Sequence, residues 1–277
     1  MKDSRALSIL NAIAFVIHVS TAYLTQLKLV NSADVGEISA RYNSLFTPAP
    51  ITFSIWGVIY TMLAIFCLYH IITAFKRTIS HPANNDLRRI GGYFILNNLA
   101  TAAWLLTWTR DMMLISLLLI IVQLLSLAVI YRRLGIFNRM RNSGFILCTQ
   151  FPISIYFGWI SLATIANTSV FLVSTGWDGG GISPVYWTMI MIGVATILGV
   201  WMIFARRDIL FGLVIIWALY GILLKDESRN ATAYDSISKA AMAGMALLAL
   251  ACIVQALQQL ATRRRLPAFP EAKSSLK

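Results

Sequence analysis

Residues 113–133 read MLISLLLIIVQLLSLAVIYRR, a mostly apolar run that ends in two arginines. A run of about 20 such residues, coiled as an α-helix, matches the hydrocarbon thickness of a bilayer. Strands of a membrane barrel would instead alternate apolar and polar residues over about ten positions. The stretch therefore predicts a membrane-spanning helix at 112–131.

Similar apolar runs recur along nearly the whole chain of 277 residues. Hydrophobic residues make up 58% of the sequence and charged residues only 12%, far below the roughly one-quarter charged content of soluble domains. The predicted fold class is therefore all-α, a polytopic membrane helical bundle of about eight transmembrane helices. The predicted spans are 7–30, 50–75, 90–109, 112–131, 144–174, 187–205, 209–224 and 238–262.

Lysine and arginine concentrate at alternate ends of these spans. Because positively charged loops stay on the cytoplasmic side, both termini are expected in the cytoplasm, and an odd number of spans would break the pattern. No organellar targeting segment is apparent, so the bacterial inner membrane is the expected location. The basic clusters are Lys2 with Arg5, Lys76 with Arg77, Arg88 with Arg89, Arg132 with Arg133, Arg139 with Arg141, Arg206 with Arg207, and Arg263 to Arg265.

The net charge of +12 arises from these short clusters and not from one basic face. A nucleic-acid partner is therefore not expected, and the lipid bilayer is the expected partner instead. Cys67, Cys148 and Cys252 lie inside apolar runs without metal-ligand spacing. Neither a disulfide framework nor a metal site is predicted.

Ionisable residues are scarce in the predicted spans, where no Asp or Glu lies deep and only His18 and His70 represent histidine. A proton- or sodium-coupled transporter usually needs an intramembrane carboxylate, so this pattern argues against that class. No nucleophile with a neighbouring base is visible, so an enzyme is less expected than a binding protein and no catalytic residue is assigned.

Aromatic residues and one amide recur at helical spacing, which places them on shared helix faces. They comprise Trp56 with Tyr60, Trp104 with Trp108, and a stripe of Tyr156, Trp159, Ala163 and Asn167 in the fifth span. Such faces suit a pocket for a flat, largely apolar ligand. Trp and Tyr also gather at membrane interfaces, and Asn often bonds a neighbouring helix, so both interpretations stay open. The outer segments 31–49 and 175–186 either cover a cavity or serve as flexible connectors.

These residues resemble the TspO/MBR family of tryptophan-rich sensory proteins, which includes the mitochondrial translocator protein. Pro48 followed by SIWGVIY at 54–60 resembles the proline-rich loop and Trp-x-x-x-Tyr segment of that family. YFGWISLATIAN at 156–167 resembles its Tyr-x-x-Trp-x-x-x-Ala-Thr-x-x-Asn pattern. Thr101 stands where the family has an asparagine three residues before Trp104.

The resemblance implies three segments: a TspO-like five-helix transmembrane bundle at 1–175, three additional transmembrane helices at 187–262, and a basic cytoplasmic tail at 263–277. It also implies an aromatic-lined intramembrane cavity, closed on one side by the first loop, for a porphyrin-like tetrapyrrole or a sterol-like lipid. The ligand-binding residues that it implies are Pro48, Trp56, Tyr60, Trp104, Tyr156, Trp159, Ala163 and Asn167.

The resemblance leaves the use of such a ligand open. A sensor, a transporter or permease for a small hydrophobic molecule, and a tetrapyrrole-degrading enzyme are the alternatives. A porphyrin or other tetrapyrrole is expected as a small hydrophobic ligand, and no cofactor is assigned. The oligomeric state is also open, with a homodimer as one alternative.

Overall fold

A computed structural model describes residues 2–42, 44–136, 143–227 and 232–265. Every regular element within these residues is helical. The helices are α1 (Lys2–Gln26), α2 (Val35–Arg41), α3 (Ile55–Lys76), α4 (Pro82–Ile90), α5 (Tyr93–Trp108), α6 (Met113–Leu134), α7 (Ser143–Phe145), α8 (Phe151–Ser174), α9 (Pro184–Ala205), α10 (Ile209–Glu227) and α11 (Thr232–Arg265). A 3₁₀ turn at Pro50–Ser54 leads into α3, and a π-helical turn at Ile146–Gln150 leads into α8.

Six helices of the described residues are long and apolar enough to cross a membrane. They are Ser4–Gln26, Pro50–Lys76, Met113–Leu134, Ile146–Ser174, Pro184–Ala205 and Tyr234–Ala261. The other two predicted spans correspond to shorter helices, α5 with 16 residues and the apolar part of α10 at Ile209–Lys225. The prediction of an all-α polytopic membrane bundle is confirmed by these helices. Helices suit a bilayer because they satisfy their own backbone hydrogen bonds.

The bundle has two different ends. At the basic end, the Arg133 guanidinium donates to the carbonyl oxygen of Arg89 at 3.1 Å, and the Gln259 amide donates to that of Arg207 at 3.0 Å. At the opposite end, called the loop end, Arg41 of α2 pairs with Asp111 at 3.1 Å. The assignment of the basic end to the cytoplasm stays a prediction from the charge distribution.

Part of the predicted charge pattern lies outside the described residues. Arg139 and Arg141 belong to 137–142, and most of the predicted basic tail belongs to 266–277. The other clusters lie at the basic end: Arg5 bonds Ala74 near the end of α3, Arg133 bonds Arg89 of α4, and Tyr131 of α6 bonds Asp208 beside Arg207.

Glycines allow the C-terminal helices to approach one another and α8 closely. A Cβ atom on Gly158 of α8 would press against Val214 of α10, at 3.2 Å. A Cβ on Gly199 of α9 would meet Leu248 of α11 at 2.6 Å. Small residues at helix contacts are a main source of packing energy in membranes, where lipid removes the hydrophobic drive for association. Helix α10 packs on α8, and α9 and α11 pack on α10 and on each other, so α10 joins the C-terminal helices to the first part of the chain.

Candidate functional site

The rings predicted from the sequence meet where α3 faces α8. The indole of Trp56 stacks on the ring of Tyr60 at 5.3 Å between centroids. It also lies edge-on to Trp159 at 6.3 Å and to Tyr156 at 6.0 Å. Stacked and edge-to-face pairs are the favourable arrangements of aromatic rings. The Trp56–Tyr60 pair and the α8 stripe thus belong to one aromatic cluster.

Helix α1 adds a buried histidine to this cluster. The ring of His18 lies edge-on to Tyr60 at 5.3 Å and to Trp56 at 6.1 Å. Its Nδ1 atom is 3.0 Å from Oδ1 of Asn98 on α5. This hydrogen bond ties α1 to α5 inside the bundle, so His18 helps to hold the rings in place.

A cavity of about 40 Å³ lies beside the aromatic cluster, between α3, α5, α8 and the first loop. Six of the eight predicted ligand residues line it, namely Pro48, Trp56, Trp104, Trp159, Ala163 and Asn167. Tyr60 lines a neighbouring groove instead. Tyr156 is fully buried, and its hydroxyl lies 2.8 Å from that of Thr101, the residue that replaces the asparagine of the TspO/MBR pattern.

Several polar atoms of the cavity lining are buried and have no hydrogen-bond partner among the described residues. They are Nε1 of Trp104, Nε2 of Gln123, Oγ1 of Thr47, and both Oδ1 and Nδ2 of Asn167. A buried polar group without a partner costs about 1–3 kcal/mol of stability. A ligand with a polar edge that reached these atoms with both a donor and an acceptor would satisfy them.

A family model described as TSPO-like protein matches residues 8–254. The chain belongs to the TSPO-like protein family. The match runs through α9 and α10 into α11, so the family relationship reaches beyond the 1–175 segment that carries the sequence motifs. No curated protein and no solved structure gives a significant match.

In this TSPO-like protein a groove of about 440 Å³ adjoins the cavity, between α1, α2 and α3. The groove and the cavity share three lining residues, Val35, Phe53 and Trp56. Trp56 therefore lies at the boundary between the small cavity and the larger groove, together with Val35 and Phe53.

The first loop of the TSPO-like protein is held over the cavity by α10. The N–H of Ala49 donates to the carbonyl oxygen of Gly221 at 2.8 Å. The indole N–H of Trp217 donates to the carbonyl oxygen of Thr52 at 2.9 Å. These two bonds hold the loop next to Pro48, and Pro48 lines the cavity.

The lysine near the end of α10 adds two further bonds to the same loop. The ammonium of Lys225 donates to the carbonyl oxygens of Thr47 at 2.9 Å and Ser44 at 3.2 Å. Gly221 is required at its position, because a Cβ atom there would collide with the side chains of Thr52 and Pro48. Helix α10 therefore positions the first loop, which forms the lid of the cavity.

Sequence reasoning missed several residues of this site. Phe53 and Gln123 line the cavity, and Gln123 could have been noticed as an amide within an otherwise apolar run. Trp108 also lines it and stacks on Trp104 at 5.5 Å, as their shared helix face predicts. Nothing in the sequence pattern pointed to Lys225 as a contact of the first loop.

Proposed function

We propose that this TSPO-like membrane protein binds a hydrophobic planar ligand, such as a porphyrin-like tetrapyrrole or a sterol-like lipid, in the cavity between α3, α5 and α8. The observation that carries the proposal is the set of unpaired polar atoms on Trp104, Gln123 and Asn167 among aromatic walls. Rings offer broad faces to a flat apolar body, and the unpaired atoms offer hydrogen bonds to its polar edge.

The cavity is too small to hold such a ligand without a change in the position of its walls. Pockets for small-molecule ligands typically measure about 300–1,000 Å³, far more than the 40 Å³ of the cavity alone. The adjoining groove adds about 440 Å³ once Trp56 moves aside. We infer that the ligand enters between α1 and α3 and takes over the ring contacts that Trp56 makes with Tyr60 and Trp159.

The electrostatics of the lining favour a ligand whose buried part is neutral. The residues that line the cavity, all within the described parts of the chain, carry no formal charge. An ionised group buried there would lose its hydration without a counter-charge. A tetrapyrrole would therefore bind best with its carboxylates esterified, since the groove beside the cavity is itself lined by Asp34. Sensing, transport and degradation all require this binding step.

The test uses the full chain in lipid nanodiscs, with protoporphyrin IX dimethyl ester and cholesterol as probes. We expect Trp159→Ala to weaken binding of at least one probe by about tenfold, the factor that corresponds to about 1.4 kcal/mol. The matched control is Trp201→Ala, since the Trp201 side chain on α9 is 51% exposed and lines none of the spaces described above.

Equal affinities of wild type, Trp159→Ala and Trp201→Ala for both probes would refute the proposal. If binding is found, uptake of the bound probe into proteoliposomes separates a transporter from a sensor. Recovery of chemically altered pigment after incubation would instead identify degradation.

A further inference from the structure

A second and larger cavity, of about 600 Å³, lies on the opposite face of α8, between α8, α9 and the loop at 175–183. We call it the outer cavity, and we call the cavity beside the aromatic cluster the inner cavity. Ile165, Thr168 and Leu172 of α8 line the outer cavity, whereas Trp159, Ala163 and Asn167 line the inner cavity. The two cavities share no lining residue among the described parts of the chain. The outer cavity is therefore a space separate from the inner cavity.

The wall of the outer cavity contains a pair of indoles held in a defined position. Trp177 and Trp187 lie 5.2 Å apart between ring centroids. The indole N–H of Trp187 donates to the carbonyl oxygen of Gly179 at 2.8 Å. Gly179 has a φ of 80°, and a Cβ atom there would collide with the carbonyl oxygen of Ile182. This glycine-dependent turn holds the Trp187 indole in place beside Trp177.

One carboxylate gives the outer cavity its charge. Asp178 is the one charged residue among the described lining residues, and its Oδ1 atom accepts a hydrogen bond from the N–H of Gly180 at 2.9 Å. Lys225 contacts the backbone of Ser44, a lining residue, but does not line the cavity itself. The remaining lining is apolar or carries hydroxyl groups, as at Ser169 and Thr188.

We propose that the outer cavity is a second binding site, which takes a lipophilic cation with a bulky apolar body. Indole faces attract cations through their quadrupole, and Asp178 supplies the complementary charge next to them. A volume of about 600 Å³ accommodates a ligand of ordinary drug size. The inner cavity, by contrast, has an uncharged lining, so the two sites select ligands of different charge.

The test compares two probes of the same shape and opposite charge, tetraphenylphosphonium and tetraphenylborate. Equilibrium dialysis against nanodiscs of neutral phosphatidylcholine, with and without the full chain, gives the affinity that is due to the protein. We expect Asp178→Asn to weaken tetraphenylphosphonium binding by about threefold, because the carboxylate is exposed to solvent. Asp178→Lys should weaken it by about tenfold or more and should strengthen tetraphenylborate binding.

The matched control is Asp235→Asn, which removes an exposed carboxylate from the start of α11 without touching the outer cavity. It should leave both affinities unchanged. Asp178→Asn keeps an oxygen for the Gly180 N–H. A thermal melt of each variant verifies that the fold is retained. The proposal is overturned if protein-dependent binding of tetraphenylphosphonium is absent, or if it is the same in Asp178→Asn, Asp178→Lys and wild type. Neither result depends on whether porphyrin or sterol binds at the inner cavity.

Discussion

The backbone N–H of Ala49, in the first loop, donates to the carbonyl oxygen of Gly221 on α10 at 2.8 Å. This bond joins the lid of the inner cavity to a helix that lies outside the predicted five-helix bundle. Since the TSPO-like family match also covers α10, we regard the C-terminal helices as part of the functional unit. Helix α10 fixes the position of Pro48 and its neighbours over the cavity.

Gly221→Ala should lower the stability of the protein, because the added methyl group collides with Thr52 and Pro48. Overpacking of this kind costs about 1–3 kcal/mol. Gly193→Ala is the matched control, since a Cβ atom on Gly193 of α9 meets no atom within 4 Å. Thermal unfolding in detergent should show a lowered midpoint for the first variant and an unchanged or raised midpoint for the second. Equal midpoints would contradict the close contact of α10 with the loop.

Lys225→Met should loosen the first loop, because two hydrogen bonds from a charged donor are lost. Hydrogen bonds to charged groups contribute about 1.5–3 kcal/mol each. Hydrogen–deuterium exchange should therefore become faster at the amides of Ala49 and Thr52. Lys239→Met removes an exposed lysine that pairs only with Asp235 among the described residues, and exchange in the loop should not respond to it. Unchanged protection in Lys225→Met would show that the lysine does not hold the lid.

Asn167→Leu should separate ligand binding from stability. The amide of Asn167 is buried without a partner among the described residues, so an apolar side chain of similar size should raise the free energy of unfolding by about 1–3 kcal/mol. The same change should weaken binding of protoporphyrin IX dimethyl ester or cholesterol, because it removes hydrogen bonds to the ligand. A variant that is both less stable and unchanged in binding would identify Asn167 as a structural residue.

The turn between α9 and α10 should make stability depend on pH. The Asp208 carboxyl accepts from the hydroxyl of Tyr131 at 2.8 Å and from the N–H of Phe211 at 3.1 Å, yet burial raises the pKa of Asp208 above its ordinary value of 3.8. A raised pKa means that folding favours the protonated acid. Its stabilising contribution is complete below that ordinary value and is lost as the pH rises through the folded pKa.

Asp208→Asn should therefore flatten the fall in unfolding free energy as pH rises, because the amide stays neutral throughout. Chemical unfolding from about pH 4 to about pH 8 measures the slope. Asp235→Asn serves as the control, since the Asp235 side chain is 61% exposed. If Asp208→Asn keeps the slope of the wild type, another group is responsible for the dependence.

The class of the protein and the order of its helices follow from local features of the amino-acid sequence. Apolar runs such as 113–133 indicate membrane spans because about 20 apolar residues match the thickness of the bilayer. They are helical because a helix satisfies its own backbone hydrogen bonds in lipid. Helical spacing also placed Trp159, Ala163 and Asn167 on one face, and the structure puts all three in the lining of the inner cavity. Both signals are local, so they can be read without knowing which helices are neighbours.

Which helix faces are buried, and which residues lie against them, depends on how distant segments pack together. In a bilayer the face toward lipid is apolar and the face toward another helix is largely apolar as well, so hydropathy alone does not distinguish them. The sequence therefore gave no indication that Tyr156 would bond Thr101 instead of lining the cavity, or that Trp56 would separate it from a groove. The contact of Gly221 with the first loop is likewise a property of packing between distant segments.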